Sequence, residues 1–553
     1  MMDLLLVIVA SLLPTAALLL PKAMRVAQRE HYIAGWVRRV SMGWYRNRPL
    51  SWWPLLAGFV AAAAVLWVAI QSLISDLGLL ISVVAPVTLA LAAAVGSLAP
   101  AGLRIRGTSA PLRWTARTRR LAVLWVPLWL VIAGVLTFSL LWLANVLLEA
   151  YFVSMGTVMD DLVLVVLWVI MVAGVAGALL AVFLTPMITD LALLVMKPVE
   201  KALSRKWLVA AQKKIKQVRP TVVAITGSYG KTSTKGYVTH LLQAQFSVVP
   251  SPASFNNLLG LSRAVNDKLT PGTEVFVAEM GVYQPGEIRE LSESFPPDIA
   301  AITVIGEAHL ERMRNRETIF AAKAEITEKA KTVVLPIDDP MLAELADLCQ
   351  RLGKTVVRVS AAGADADVSV DPEAGTLTTQ GQTVPVTISG VGHAVNVAVA
   401  AGIAFALNVP VTAYADRLNS LPGAAHRAEV HTSPSGALIV DDTYNSNPVG
   451  AHRALDGARK LAAERGGRLV VVTPGMIELG DVQFDRNRDF AAAIREAQGD
   501  LFVVGYTNRA ALRAGFPDAT LAATRTAAMA EAFQRAGSAG VILVENDLPD
   551  HYA

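Results

Sequence analysis

Five apolar stretches crowd into the first 196 residues, near 2–20, 54–74, 77–98, 121–148 and 162–185. Each approaches or exceeds the roughly 20 residues that a helix needs to cross a bilayer. They dictate a five-helix transmembrane domain over 1–196. The first run lacks the cationic start and small-residue end of a signal peptide, so it reads as a retained helix. Segment 21–52 carries Lys22, Arg25, Arg29, Arg38, Arg39, Arg46 and Arg48, and segment 99–120 carries six arginines from Arg104 to Arg120. The two alternate connections hold only Asp76, Glu149, Asp160 and Asp161 as charged groups. The positive-inside rule then puts the N-terminus outside a bacterial plasma membrane and everything after about 186 in the cytoplasm. None of the runs has a charge at its middle, which favours an anchor or lipid-facing platform over a transporter. Trp52, Trp53 and Trp125 suit interfacial anchoring. Residues 197–220 read as a basic juxtamembrane linker, partly amphipathic, along the inner leaflet.

Beyond that linker the chain reads as soluble α/β protein. The formal net charge of +4 gives no case for a nucleic-acid partner. The single cysteine, Cys349, excludes an internal disulfide and a cysteine-based zinc site, and reads as a small apolar helix residue.

The soluble part opens with Thr221-Val-Val-Ala-Ile-Thr226, a strand pattern, followed by Gly227-Ser228-Tyr229-Gly230-Lys231-Thr232-Ser233 and a helical stretch through Leu242. Strand, glycine loop and helix form the context of a phosphate-binding loop. Backbone amides at the helix start would cradle phosphate, Lys231 would reach the outer phosphates, and Thr232 would offer a hydroxyl to Mg²⁺. The first glycine of the longer P-loop pattern is replaced by Ile225, while T-G-x-x-G-K-T-S is complete.

The run Thr226–Ser233 resembles the nucleotide loop of the Mur ligases, which build the peptide of peptidoglycan. Ser254-Phe255-Asn256-Asn257 with Gly260, and Ala278-Glu279-Met280-Gly281 with Pro285-Gly286-Glu287-Ile288, continue the likeness. So do Ile305-Gly306-Glu307-Ala308-His309-Leu310-Glu311 and Lys323-Ala324-Glu325-Ile326. Asp441-Asp442-Thr443-Tyr444-Asn445-Ser446-Asn447-Pro448 and Gly475-Met476-Ile477-Glu478-Leu479-Gly480 close the series, in order, over roughly 220–545. Within the family the strings are most similar to the type that adds D-alanyl-D-alanine to the muramoyl tripeptide.

The resemblance implies a ligase that uses ATP and Mg²⁺ to join a carboxylate to an amine through an acyl phosphate. Gly227, Ser228, Gly230, Lys231, Thr232 and Ser233 would hold the phosphates. Glu279 and His309 would join Thr232 on the metal; alone, the first reads as a solvated strand-end acid and the second as a structural histidine. Lys323 matches a lysine that many members carbamylate, the alternative being a surface lysine on a helix. Arg427 would reach the phosphates, Asp442 the ribose and Asn445 the nucleotide. In Gly392-His393-Ala394-Val395-Asn396 the asparagine falls one residue early relative to the family's H-x-x-x-N, and its role stays open. Where the family carries K-G-S-R, this chain reads Val544-Glu545-Asn546-Asp547-Leu548-Pro549. Membrane runs stand in place of the family's uridine-nucleotide-binding domain.

The expected architecture is therefore an α-helical transmembrane domain, a Mur-ligase-like central P-loop ATPase domain over 221–424 and a C-terminal Rossmann-like α/β domain over 425–553. A hinge is expected at Leu421-Pro-Gly-Ala, an antiparallel patch at 356–390, and strands near 438–440, 469–473 and 501–504. The reaction expected is addition of an amino acid or dipeptide to a cell-envelope precursor, with a lipid-linked acceptor as the partner that the membrane runs suggest. A membrane-bound polyamide synthetase of the polyglutamate type is the alternative. A transport ATPase would need an L-S-G-G-Q signature and polar groups within the spans. A non-catalytic scaffold fits poorly with Gly230-Lys231-Thr232 and Glu279.

Overall fold

The computed structural model describes residues 2–47, 49–73, 76, 79–100, 112–155, 163–252, 255–282, 284–308, 310–388, 394–423, 429–443 and 446–547. The chain divides into two compact units, one within 1–202 and one over 203–547.

The first unit is all helix: Met2–Arg29, Trp36–Asn47, Trp53–Leu73, Ala85–Gly96 after a π-turn at Leu80–Val84, Ala116–Met155, Val163–Phe183 and the start of Thr185–Val218. Among the described residues, four helices are long and apolar enough to cross a membrane: Leu5–Arg29, Leu50–Ser72, Ala116–Ser154 and Val163–Phe183. The run expected at 77–98 differs. It is a shorter apolar helix, Ser82–Gly96, whose first turns are widened to π geometry. Large aliphatic side chains such as Val60, Val68, Leu91 and Val123 face outward, the inverse of a water-soluble bundle.

Trp125 corrects an expectation. It is wholly buried and stacks on Trp129, and the two indole N–H groups donate to Thr189 Oγ1 at 2.9 Å and Thr185 Oγ1 at 3.0 Å. Its polar edge is therefore spent inside the bundle. Trp52 and Trp53 remain about half exposed, as interfacial residues would be. The amphipathic Trp36–Asn47 helix buries Val37, Trp44 and Tyr45. A cavity of about 370 Å³ opens between the long helices, walled mainly by apolar side chains including Leu66, Leu89, Phe138, Leu141 and Ile170.

In the second unit, the helix ending at Val218 continues directly into β1. Its residues Leu208, Ala211, Ile215 and Val218 pack into the α/β core, and Lys214 donates to Asn266 O at 2.7 Å. The part of the expected leaflet-bound linker from 203 onward thus belongs to the α/β fold, because its apolar stripe finds a protein partner.

Nine strands form the first sheet: β1 Thr221–Thr226, β2 Val248–Pro250, β3 Val275–Glu279, β4 Ile299–Ile302, β5 Thr332–Pro336, β6 Thr355–Ser360, β7 Val368–Asp371, β8 Thr376–Thr379 and β9 Gln382–Pro385. Their order is β2-β3-β1-β4-β5-β6-β7-β8-β9. β2 to β7 pair in parallel, while the β7–β8 and β8–β9 pairs are antiparallel. The expected antiparallel patch is thus the edge of the main sheet. Runs such as VVAI and VFVA lack alternation because helices cover both faces of the parallel strands.

The second sheet holds β10 Glu429–Thr432, β11 Leu438–Asp442, β12 Leu469–Thr473, β13 Asp500–Val504, β14 Thr520–Ala522 and β15 Val541–Glu545, in the order β10-β11-β15-β12-β13-β14. The three strands foreseen here are present within two residues at either end. The expected hinge at 421–424 runs into residues 424–428, which lie outside the described residues.

Candidate active site

At the carboxyl end of β1, Thr226 Oγ1 donates to Met280 O at 2.8 Å, joining the strand to the end of β3. The loop then reaches Gly230, the N-cap of helix Lys231–Leu242, in a left-handed conformation (φ 77°) that glycine adopts at no steric cost. A Cβ there would also collide with the side chain of Asn396, so the asparagine whose role was open lies against the phosphate loop. Ser228 Oγ donates to Gly306 O at 3.1 Å and accepts from Gly306 N at 3.0 Å. Its hydroxyl therefore braces the loop. Lys231 folds over the loop and donates to Gly227 O at 2.7 Å. Ser233 is half-buried in the first helical turn.

Glu279 ends β3, and its N–H donates to Ser251 Oγ at 3.1 Å. Two donors reach its Oε2: Thr232 Oγ1 at 3.0 Å and Lys235 Nζ at 2.9 Å. Asn256 Nδ2 lies 3.5 Å from Oε1. Lys323 is buried on helix Arg316–Ala324, which corrects its alternative reading as a surface residue. Burial, and then the Lys231 charge, hold its amine well below the usual lysine range. Two residues on, Glu325 accepts from Gly286 N at 2.8 Å and Arg289 N at 3.0 Å, so the K-A-E-I string caps the helix opened by P-G-E-I.

The donor set suits Mg²⁺. Thr232 and Glu279 supply hard oxygens at the mouth of a phosphate loop, and no cluster of three or more His, Cys, Asp or Glu occurs among the described residues. Mg²⁺ is commonly held this way, by one or two protein oxygens together with substrate phosphates.

In the second sheet, Asp442 ends β11 beside Glu545 at the end of β15. Asn447 Oδ1 accepts from Gly450 N at 2.7 Å and caps the helix that follows, which accounts for the last asparagine of D-D-T-Y-N-S-N-P. Glu545 is fully buried; Ser446 Oγ donates to one oxygen and Thr473 Oγ1 to the other at 3.1 Å. Burial, and then the Asp442 charge, push its carboxyl up to about 8. The folded chain thus keeps a proton that the unfolded chain releases in the ordinary carboxylate range. Stability should fall as pH rises from about 5 to 8 and level off above that. Glu545→Gln is expected to abolish this fall, so its thermal midpoint relative to wild type rises across that window. Parallel pH profiles would contradict the assignment.

The G-M-I-E-L-G loop docks onto the short helix Leu310–Met313. Glu478 O accepts from Glu311 N at 3.0 Å, Arg312 pairs with Glu478 at 3.1 Å, and Arg486 grips Glu307 through Nε at 2.7 Å. The two α/β domains are thus joined beside the phosphate loop. Lys231, Thr232, Glu279 and Lys323 converge at the carboxyl ends of β1 and β3, the usual ligand crevice of a parallel sheet. His309, Arg427, Asn445 and His393 lie outside the described residues. Lys235, Asn396, Glu545 and the Glu307–Arg486 pair went unassigned from the sequence. Lys235 alone left a signal, since it falls one helical turn after Lys231 and so shares its face.

Residues 225–404 match the Mur ligase middle domain, and residues 426–545 match the Mur ligase glutamate ligase domain. The UDP-N-acetylmuramoyl-tripeptide–D-alanyl-D-alanine ligase of Bacillus subtilis (strain 168) is 33% identical over 289 residues, 51% of this chain and 61% of that protein. Its counterpart in Mycobacterium tuberculosis (strain ATCC 25618 / H37Rv) is 34% identical over 301 residues, 52% of this chain and 58% of that protein. The chain spans about three fifths of the length of these relatives. Among solved structures, MurF from Acinetobacter baumannii superposes with a TM-score of 0.54 at 23% identity, covering 62% of this chain and 77% of that one. MurF ligase from Thermotoga maritima in complex with ADP gives 0.53 at 24%, covering 62% and 80%. At these identities the structures establish a shared fold.

Proposed function

Since the chain belongs to the Mur ligase family through its middle and C-terminal domains, we propose that it is an ATP-dependent amide-forming ligase acting on a peptidoglycan precursor at the cytoplasmic membrane face. The observation that carries this reading is the convergence of Lys231, Thr232, Glu279 and Lys323 on one phosphate loop. A carboxylate oxygen of the acceptor attacks the γ-phosphorus of ATP, and ADP leaves. The amine of an amino acid or dipeptide then attacks the acyl carbon, phosphate departs with the former carboxylate oxygen, and the nitrogen loses a proton. Lys231 offsets charge on the transferred phosphoryl group, and the loop amides orient it. Thr232 and Glu279, with His309 and a carbamylated Lys323, would hold Mg²⁺, which would supply further charge neutralisation. Arg427 would reach the phosphates, Asp442 the ribose and Asn445 the nucleotide.

The acceptor in this reading is lipid-linked. Helices long enough to cross a membrane, outward-facing aliphatic side chains and an apolar cavity suit a hydrocarbon tail, and the cations of segments 21–52 and 99–120 suit its phosphates. Confinement to one membrane would raise the effective concentration of acceptor. The relatives' name specifies a uridine-linked acceptor, so the alternatives are directly comparable. Full-length protein in vesicles, offered uridine-linked and lipid-linked tripeptide acceptors, should ligate the lipid-linked one more efficiently. Equal or better use of the soluble acceptor would reduce the helices to an anchor. With the shorter helix Ser82–Gly96 counted as a fifth crossing, the same reading puts the N-terminus outside and the catalytic domains inside. Reporters fused before Met1 and after Ala553 should therefore respond from opposite sides.

A further inference from the structure

Lys235 has no part in the site as assigned so far, yet it forms an ion pair with the proposed metal carboxylate. Its ammonium lies 2.9 Å from Glu279 Oε2, and the paired side chains are 7% and 3% exposed. Thr232, another proposed metal ligand, donates to the same oxygen at 3.0 Å. The two protein oxygens meant for the cation are thereby tied to each other, with the charge of one already matched by an internal ammonium. Burial weakens solvent and salt screening, so a divalent cation at Oε2 would meet strong repulsion from Nζ. Lys231, on the same helical face one turn earlier, adds a second positive charge beside the loop. Nucleotide phosphates reverse this balance, because they bring several negative charges to the amides of the loop and neutralise both lysines.

We propose that Lys235 is the built-in counter-ion of Glu279, a positioning residue that fixes the carboxylate and makes divalent-metal binding conditional on nucleotide. The proposal rests on the nucleotide–metal reading of the site. It concerns order of assembly: metal enters with the phosphates, and Glu279 stays compensated until they arrive.

Mn²⁺ binding to the protein in detergent, read by loss of the free-ion electron paramagnetic resonance signal beyond that caused by the same nucleotide without protein, tests it without reference to turnover. Wild type should bind Mn²⁺ at least about tenfold more tightly with a non-hydrolysable ATP analogue than without it, within the usual range of site coupling. Lys235→Met should bind Mn²⁺ without nucleotide at least about tenfold more tightly than wild type, narrowing that coupling. Lys235→Arg keeps the charge and should behave as wild type. Equal Mn²⁺ affinity in wild type with and without the analogue overturns the proposal, and that comparison does not depend on any variant folding. So does a Lys235→Met protein that binds Mn²⁺ no better than wild type. Absence of Mn²⁺ binding even with the analogue would instead overturn the nucleotide–metal reading beneath it.

Discussion

Replacing Lys231 by alanine is expected to lower nucleotide turnover by roughly 100- to 1,000-fold, the usual cost of removing one preorganised donor from a developing charge. The structure explains why the loss should be catalytic. Lys231 Nζ donates to the loop carbonyls Gly227 O at 2.7 Å and Ser228 O at 3.3 Å. Strand β1 and helix Lys231–Leu242 are fixed by other contacts: Val223, Ile225, Val238 and Leu241 are wholly buried. The variant should therefore keep its far-ultraviolet circular dichroism and its detergent extraction from membranes while losing ADP release. Turnover within a few-fold of wild type would remove Lys231 from the mechanism.

Lys323→Ala should have an effect of similar scale, roughly 100-fold on turnover, because it removes a group placed against the phosphate loop in a water-poor site. Burial, and then the Lys231 charge, hold this amine well below the usual lysine range, which favours the free electron pair that adds to carbon dioxide. The nitrogen–carbon bond forms as the nitrogen loses a proton, and a carbamate anion takes the place of the amine. Protein equilibrated with ¹³C-bicarbonate should show a carbamate carbon resonance that Lys323→Ala lacks, and bicarbonate depletion should slow wild type alone. A fully active Lys323→Ala protein would show that the lysine is merely a buried neighbour of Lys231.

Much of this arrangement was legible in the sequence because its signals are local. An apolar run ending in G-S-Y-G-K-T-S forces strand, loop and helix within thirteen residues. Glu279 was placed correctly because Val275-Phe-Val-Ala is apolar throughout, so the acid must end the strand. What escaped depends on long-range pairing. Trp125 sits at the end of an apolar run like an interfacial residue, and only helix packing reveals that Thr189 takes its N–H. Glu545 looked like a departure at the chain's end until β15 was seen to insert between β11 and β12, burying it beside Asp442. The π-turn at Leu80–Val84 shortens an apolar run whose composition alone matches the others. The apolar stripe of Leu208, Ala211, Ile215 and Val218 could not by itself distinguish a leaflet from a protein surface.

The central claim is that this site transfers the γ-phosphoryl group of ATP to a carboxylate that an amine then captures. The direct measurement is ³¹P nuclear magnetic resonance of the nucleotide products, with mass spectrometry of the acceptor, after incubating the full-length protein with ATP, a tripeptide acceptor labelled with ¹⁸O in its carboxylate, and D-alanyl-D-alanine. ADP and phosphate should appear in step with an acceptor heavier by one dipeptide less one water, with one ¹⁸O atom carried into the phosphate. AMP and pyrophosphate as products, or phosphate free of ¹⁸O beside an unchanged acceptor, would contradict that claim.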